Sequence, residues 1–186
     1  IRDSFYMPVF ESAAMIPPQT RREALTEVRA QLDTVSGSIL NIRVGGNDLS
    51  HAFGLRRPAN RTIYDLRPVA DILIDIVAAF GTQYVVSGPV WEYYSGEGWE
   101  EGLRREMELD LLNGFTGKTV IHPNQIPVVN EMLRVSQRDY ADARAILNWD
   151  TGSGSLVSAS EDGGRMNEYN THSRWAPVSY THLRAH

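Results

Sequence analysis

Apolar residues recur along this chain in two alternating rhythms. Short, mainly apolar runs at 5–12, 39–44, 84–88 and 118–122 have the length and the bounding turn residues of buried strands. Between them the period lengthens to that of a helix. Leu25, Val28 and Leu32 share one face, and Val69, Ile72, Leu73, Ile76, Val77 and Phe80 trace a longer one. Leu103, Met107, Leu111 and Leu112 follow, then Val128, Val129, Met132 and Leu133, and a further helix is expected over 136–149. Thr20, three residues before Glu23, matches a capping box for the first helix. Pro68 suits the first position of the second helix and Gly81 its stop. Gly45-Gly46-Asn47-Asp48 reads as a glycine turn that presents one carboxylate at the end of the second strand.

Strand followed by helix, repeated four times, implies an α/β fold with parallel pairing and crossover helices. Eight such units close a barrel of roughly 250 residues. The expectation is therefore a (β/α)8 barrel of which these residues supply the C-terminal half, about four βα units plus C-terminal helices. The alternative is an intact open sheet of four or five strands. The polar candidates Glu11, Asp48, Glu92 and His122 all follow strands, and α/β active sites lie at that carboxyl end. The expected division is a barrel segment over 1–149, a flexible segment and lid over 150–176, and a tail over 177–186 that resembles translated adaptor sequence and is set aside as non-native. The first residue is Ile rather than Met, which suggests truncation.

Composition narrows the partners. A net charge of −5 leaves no basic footprint and argues against nucleic acid, and more weakly against an anionic membrane surface. No apolar run approaches the roughly 18 residues of a bilayer span. The chain has no cysteine, which removes disulfides, thiolate metal sites and a Cys nucleophile and fits a cytoplasmic setting.

Four stretches carry a resemblance: Met7-Pro8-Val9-Phe10-Glu11-Ser12, Gly45-Gly46-Asn47-Asp48-Leu49, the run from Gly114 to Ile126 with its Gly-Lys and Ile-His-Pro elements, and Gly164-Arg165-Met166-Asn167-Glu168. In them the chain resembles the citrate lyase beta-subunit-like (HpcH/HpaI aldolase and citrate lyase) family, in its branch of C–C bond lyases of the TIM-barrel fold. The resemblance implies a lyase or aldolase that breaks C–C bonds next to a carbonyl, in hydroxyacyl-CoA thioesters or in hydroxy and 2-oxo acids. It implies that Glu11 and Asp48 bind Mg²⁺, with Mn²⁺ as the alternative, and that the ion steadies an enolate or alkoxide. It also implies a homo-oligomer, because family members reach a neighbouring subunit's site with a carboxylate on a C-terminal lid. That carboxylate corresponds to Glu168, where the family motif carries Asp, and an Asp common in the third strand corresponds to Ser87. A substrate-binding Arg of the family belongs to an early strand upstream of these residues, so this segment alone is expected to be inactive. Two rivals remain: a lyase of the same fold working on a non-CoA substrate in a biosynthetic cluster, and a non-catalytic scaffold with a degenerate site. The retained carboxylates speak against the second.

Each candidate also has a plainer reading. Taken singly, Glu11 is a capping carboxylate and Asp48 an Asx-turn residue. Gly45 and Gly46 either let backbone approach a ligand or cofactor closely or simply make the turn. Arg43 alternates with Ile42 and Val44, so it faces the barrel interior if those two pack on helices. There it is a candidate catalytic residue beside Glu168, pairing an anionic substrate or Glu11, or else a member of a structural ion pair. His122 is a general acid or base, or a loop anchor. Arg56, Arg57 and Arg61 meet phosphates of a CoA-like ligand or form a solvated basic loop.

Overall fold

The computed structural model describes residues 4–184. Contacts divide it into two compact units, one running to Met132 and one beginning at Leu133. The sequence reading set its boundary at 149, after the helix that here groups with the C-terminal unit.

The first unit is a parallel sheet of four strands in sequential order, β1 (Val9–Phe10), β2 (Ile42–Val44), β3 (Val86–Gly88) and β4 (Gly117–Lys118). The connections carry α1 (Pro18–Asp33), α2 (Gly46–Ala52), α3 (Arg67–Phe80) and α4 (Trp99–Leu112), and α5 (Gln125–Met132) follows β4. Sequential order and a common direction are the expected barrel-segment topology. Phe10, Ile42, Val44 and Val86 point to the helix side and pack with Val69, Ile72, Leu73, Ile76 and Phe80 of α3 in one core. The 3.6-residue apolar stripe of α3 is thus spent against the sheet, and the rings of Phe10 and Phe80 meet at 4.9 Å. Gly81 closes the helix by donating its N–H to Val77 O at 2.7 Å.

Three local expectations change. The capping box at Thr20 does not form, because Pro18 with its fixed φ starts α1 two residues earlier. Thr20 Oγ1 instead donates back to the Ala14 and Pro17 carbonyls at 3.0 and 3.2 Å. The glycine turn after β2 is the first turn of α2, closed by Leu49 N–H to Gly45 O at 3.0 Å. Leu49, Ala52 and Phe53 at helical spacing were the signal for it. The fourth strand stops at Lys118 rather than His122. Buried Gln125 pulls its exit off the sheet, accepting the Ile121 N–H at 3.0 Å and donating to the Trp91 and Tyr93 carbonyls, each at 2.8 Å.

The second unit contains α6 (Gln137–Leu147), an antiparallel hairpin of β5 (Val157–Ala159) and β6 (Met166–Glu168), α7 (Tyr169–His172) and α8 (Trp175–Arg184). The segment after 150, expected to be a flexible connection, therefore contains a strand. The tail is helical through Arg184, while Ala185 and His186 lie outside the described residues, as does the start of the chain at Ile1. Ala143, Ile146 and Ala176 form its small core. Asp142 is buried beneath the hairpin, accepting from Asn167 Nδ2 at 2.8 Å and pairing with Arg165, which also reaches Asp139 at 2.6 Å. Among the described residues no helix is long and apolar enough to cross a membrane.

Candidate metal centre

Strand register brings the two expected metal carboxylates together. Val9 stands beside Arg43 and Phe10 beside Val44, so the next rung sets Glu11 beside Gly45. A ladder bond from Gly45 N–H to Phe10 O at 3.0 Å holds that rung. Asp48 lies in the first turn of α2, where the helix N-terminus favours a negative charge. A Cβ at residue 45 would stand 2.5 Å from both Glu11 Cβ and Glu11 Oε2, and 3.2 Å from Asp48 Oδ2. The two carboxylates therefore share the small volume that a side chain at 45 would fill, and both residues are solvent-exposed.

This donor set fits a hard cation. Magnesium takes one or two carboxylates and keeps waters or substrate oxygens in its remaining positions. Among the described residues no group of three or more His, Cys, Asp or Glu is placed to hold a metal, so the remaining positions around an ion would fall to water and ligand. The neighbouring glycines have separate duties. A Cβ at Gly46 would stand 2.6 Å from Ile63 Cδ1 and from Pro89 Cβ, so Gly46 serves packing and Gly45 the carboxylates.

Arg43 lies on the strand face opposite buried Ile42 and Val44, the face that carries Glu11. Its Nε donates to Thr119 Oγ1 at 3.4 Å. Beside it Asn41 Nδ2 donates to Ser87 Oγ at 2.6 Å, while Asn41 Oδ1 is buried with no hydrogen-bond partner among the described residues. Asn41, Arg43, Ser87 and Thr119 thus form a polar patch leading to the carboxylates.

The three loop arginines do not form a free basic surface. Arg57 is buried, its Nε 3.0 Å from Glu106 and its guanidinium 5.1 Å from the centre of the Trp91 ring. Arg56 pairs with Glu92 at 3.1 Å and Arg61 with Asp65 at 3.6 Å. His122 anchors a loop: Tyr94 stacks on it at 4.2 Å, and its Nδ1 accepts the Asn124 N–H at 3.2 Å. Glu168 ends β6 in the second unit, and its N–H donates to His172 Nδ1 at 3.0 Å.

Sequence reasoning missed a buried charge cluster behind the sheet. Lys118 Nζ lies 2.8 Å from Glu106 and 2.7 Å from Asp110, all three side chains nearly inaccessible. Tyr64 OH donates to Asp110 at 2.7 Å. Burial pushes the Asp110 carboxyl up, against the opposing pull of Lys118. Burial alone would push the Lys118 ammonium down, but Asp110 and Glu106 outweigh it and hold it above its ordinary value. A signal existed: Glu106 and Asp110 fall among Leu103 and Met107 on the apolar stripe of α4, and buried carboxylates demand a buried cation.

A parallel βα sheet in sequential strand order, with Glu11 and Asp48 at its carboxyl ends, is the arrangement of a TIM-barrel segment. The chain belongs to the family described as C–C bond lyase of the TIM-barrel fold, whose profile matches residues 1–185. It is 38% identical over 74 residues to the L-malyl-CoA/beta-methylmalyl-CoA lyase of Cereibacter sphaeroides, a match covering 39% of this chain and 22% of that enzyme. It is also similar to the crystal structure of CitE from Mycobacterium tuberculosis in complex with magnesium, acetoacetate and coenzyme A, with TM-score 0.54 and 26% identity over 79% of this chain. The chain spans about half of that structure, 53% of its length.

Proposed function

We propose that this chain carries the metal-holding carboxylates of a Mg²⁺-dependent C–C lyase acting on a hydroxyacyl-CoA thioester or a related hydroxy or 2-oxo acid. The convergence of Glu11 and Asp48 on the space above Gly45 carries this reading. Family membership and the printed ligands of the CitE structure support it. When bound, the ion supplies Lewis-acid charge to carbonyl and carboxylate oxygens. Glu11 and Asp48 would hold it, and its remaining positions would fall to water and substrate oxygens. In the cleavage, the bond between the carbinol carbon and the neighbouring α-carbon breaks. The hydroxyl gives up its proton and becomes a carbonyl, and the bond's electron pair stays on the α-carbon until a proton returns there. Glu168, the lid carboxylate of the resemblance, is our candidate for carrying that proton, with the lid exchanged within a homo-oligomer.

One observation favours the rival non-CoA substrate. Arg56, Arg57 and Arg61 are each committed to a carboxylate, so that loop offers no free cation to a CoA phosphate. The test is release of a 2-oxo acid or aldehyde by the full-length gene product, from a panel of hydroxyacyl-CoA thioesters and free hydroxy acids. The proposal expects Mg²⁺-dependent release that chelation and Asp48→Ala abolish. Release unaffected by Asp48→Ala contradicts it.

A further inference from the structure

We infer that Arg43 is a specificity-determining residue that receives a second carboxylate of the substrate, so that the ligand on the Glu11–Asp48 site is a 2-hydroxy or 2-oxo dicarboxylate. The inference rests on the metal reading above and adds the substrate class.

Three observations carry it. First, Arg43 is placed for the task. It shares the strand face of Glu11 and stands two residues before Gly45, about 6–7 Å below the carboxylates along the strand. Its Nε donates to Thr119, which follows the β4 edge at the level of Gly45, the rung of Glu11. Second, its charge is uncommitted. Among the described residues no carboxylate lies within ion-pair distance of Arg43, and its one side-chain hydrogen bond is the long Nε contact with a neutral hydroxyl. This contrasts with Arg57, Arg104 and Arg165, each held by carboxylates. The Nη1 and Nη2 fork that matches a carboxylate in two parallel hydrogen bonds is left open. Third, the surroundings are built to leave it so. Ser87, its register partner on β3, is a short neutral residue already engaged by Asn41, and Gly117, next along the rung, carries no side chain. A half-buried guanidinium between a hydroxyl and a glycine, one step below a cation site, is arranged for an anion arriving with the ligand. A dicarboxylate held by one end at the Glu11–Asp48 site would have its far carboxylate available to Arg43.

The test is binding of malate and of lactate, each as the racemate, to the Mg²⁺-loaded full chain by calorimetry, for wild type, Arg43→Met and Arg43→Lys. The two probes share the 2-hydroxy acid head and differ by the far carboxylate. The inference expects Arg43→Met to weaken malate at least tenfold while lactate and Mg²⁺ stay within about twofold, with Arg43→Lys between. Equal losses for both probes, or no loss for either, overturn it. If Arg43→Met does not fold, Arg43→Lys decides: it must weaken malate more than lactate. A wild-type chain that binds no Mg²⁺ sinks the metal reading and this inference together. A chain that binds Mg²⁺ through Glu11 and Asp48 but shows no discrimination at Arg43 sinks this inference alone.

Discussion

Replacing Gly45 with alanine puts a methyl group between Glu11 and Asp48, whereas the same change at Gly46 meets only packing atoms. The new Cβ would lie 2.5 Å from Glu11 Cβ and Oε2 and 3.2 Å from Asp48 Oδ2. Carbon atoms in contact prefer 3.5–4.0 Å, so the exits of β1 and β2 would have to part by about 1 Å. Rotation of the Glu11 side chain relieves only the oxygen contact. Its Cβ is fixed by backbone, and the ladder bond between Gly45 and Phe10 resists the shift. The displaced Glu11 leaves Asp48 as the sole carboxylate, and Mg²⁺ affinity should fall at least tenfold, about 1.4 kcal/mol. Gly46→Ala makes the control. Its Cβ strikes Ile63 and Pro89 at 2.6 Å, so overpacking should cost roughly 1–3 kcal/mol of stability with little direct effect on the metal. Calorimetric Mg²⁺ titration and urea unfolding of both variants decide the matter. Wild-type Mg²⁺ affinity in Gly45→Ala, or a larger loss of affinity in Gly46→Ala, would refute the division of labour.

Two further outcomes follow from the charge clusters. Lys118→Met strands Glu106 and Asp110 in the interior, with Arg57 left to answer only the first, and should cost about 3–5 kcal/mol by urea unfolding; a loss below about 1 kcal/mol would contradict the burial of these charges. Acid should loosen the second unit. Burial would raise Asp139, but the Ser136 hydroxyl and Arg165 outweigh it and hold its carboxyl below the usual range, while the Ser160 hydroxyl and Gly164 N–H do the same for Asp162. A carboxyl depressed in the folded state adds stability above its unfolded pKa of about 3.9, and that stability is lost as pH falls through the lower folded value. Hydrogen-exchange protection across 137–168, corrected for the intrinsic rate at each pH, should therefore fall below about pH 4, and protection unchanged down to about pH 2 would contradict this.

The legible parts of this molecule were those where one residue's pattern fixes one neighbour. The stripe of α3 and the alternation of Ile42, Arg43 and Val44 gave both the core side and the facing of Arg43, because period alone decides which side chain is buried. Parallel topology then placed Glu11 beside Gly45. What escaped depended on partners far along the chain. The end of β4 is set by Gln125 reaching the carbonyls of Trp91 and Tyr93, and nothing local to 118–122 announces that. The capping box at Thr20 lost to a proline two residues earlier, a competition between two valid start signals. The apparent basic loop dissolved because Arg56 and Arg57 pair with Glu92 and Glu106, 36 and 49 residues away, while Arg61 pairs locally with Asp65. Asn41 and Thr119 joined the site through register across three strands, which spacing along one strand does not reveal.

Whether Glu11 and Asp48 hold one divalent cation between them is decided by calorimetric titration of Mg²⁺ into wild type, Glu11→Gln and Asp48→Asn. One Mg²⁺ per wild-type chain is expected and, in either variant with its fold intact by circular dichroism, affinity weakened at least tenfold. Undiminished Mg²⁺ affinity in both folded variants would contradict it.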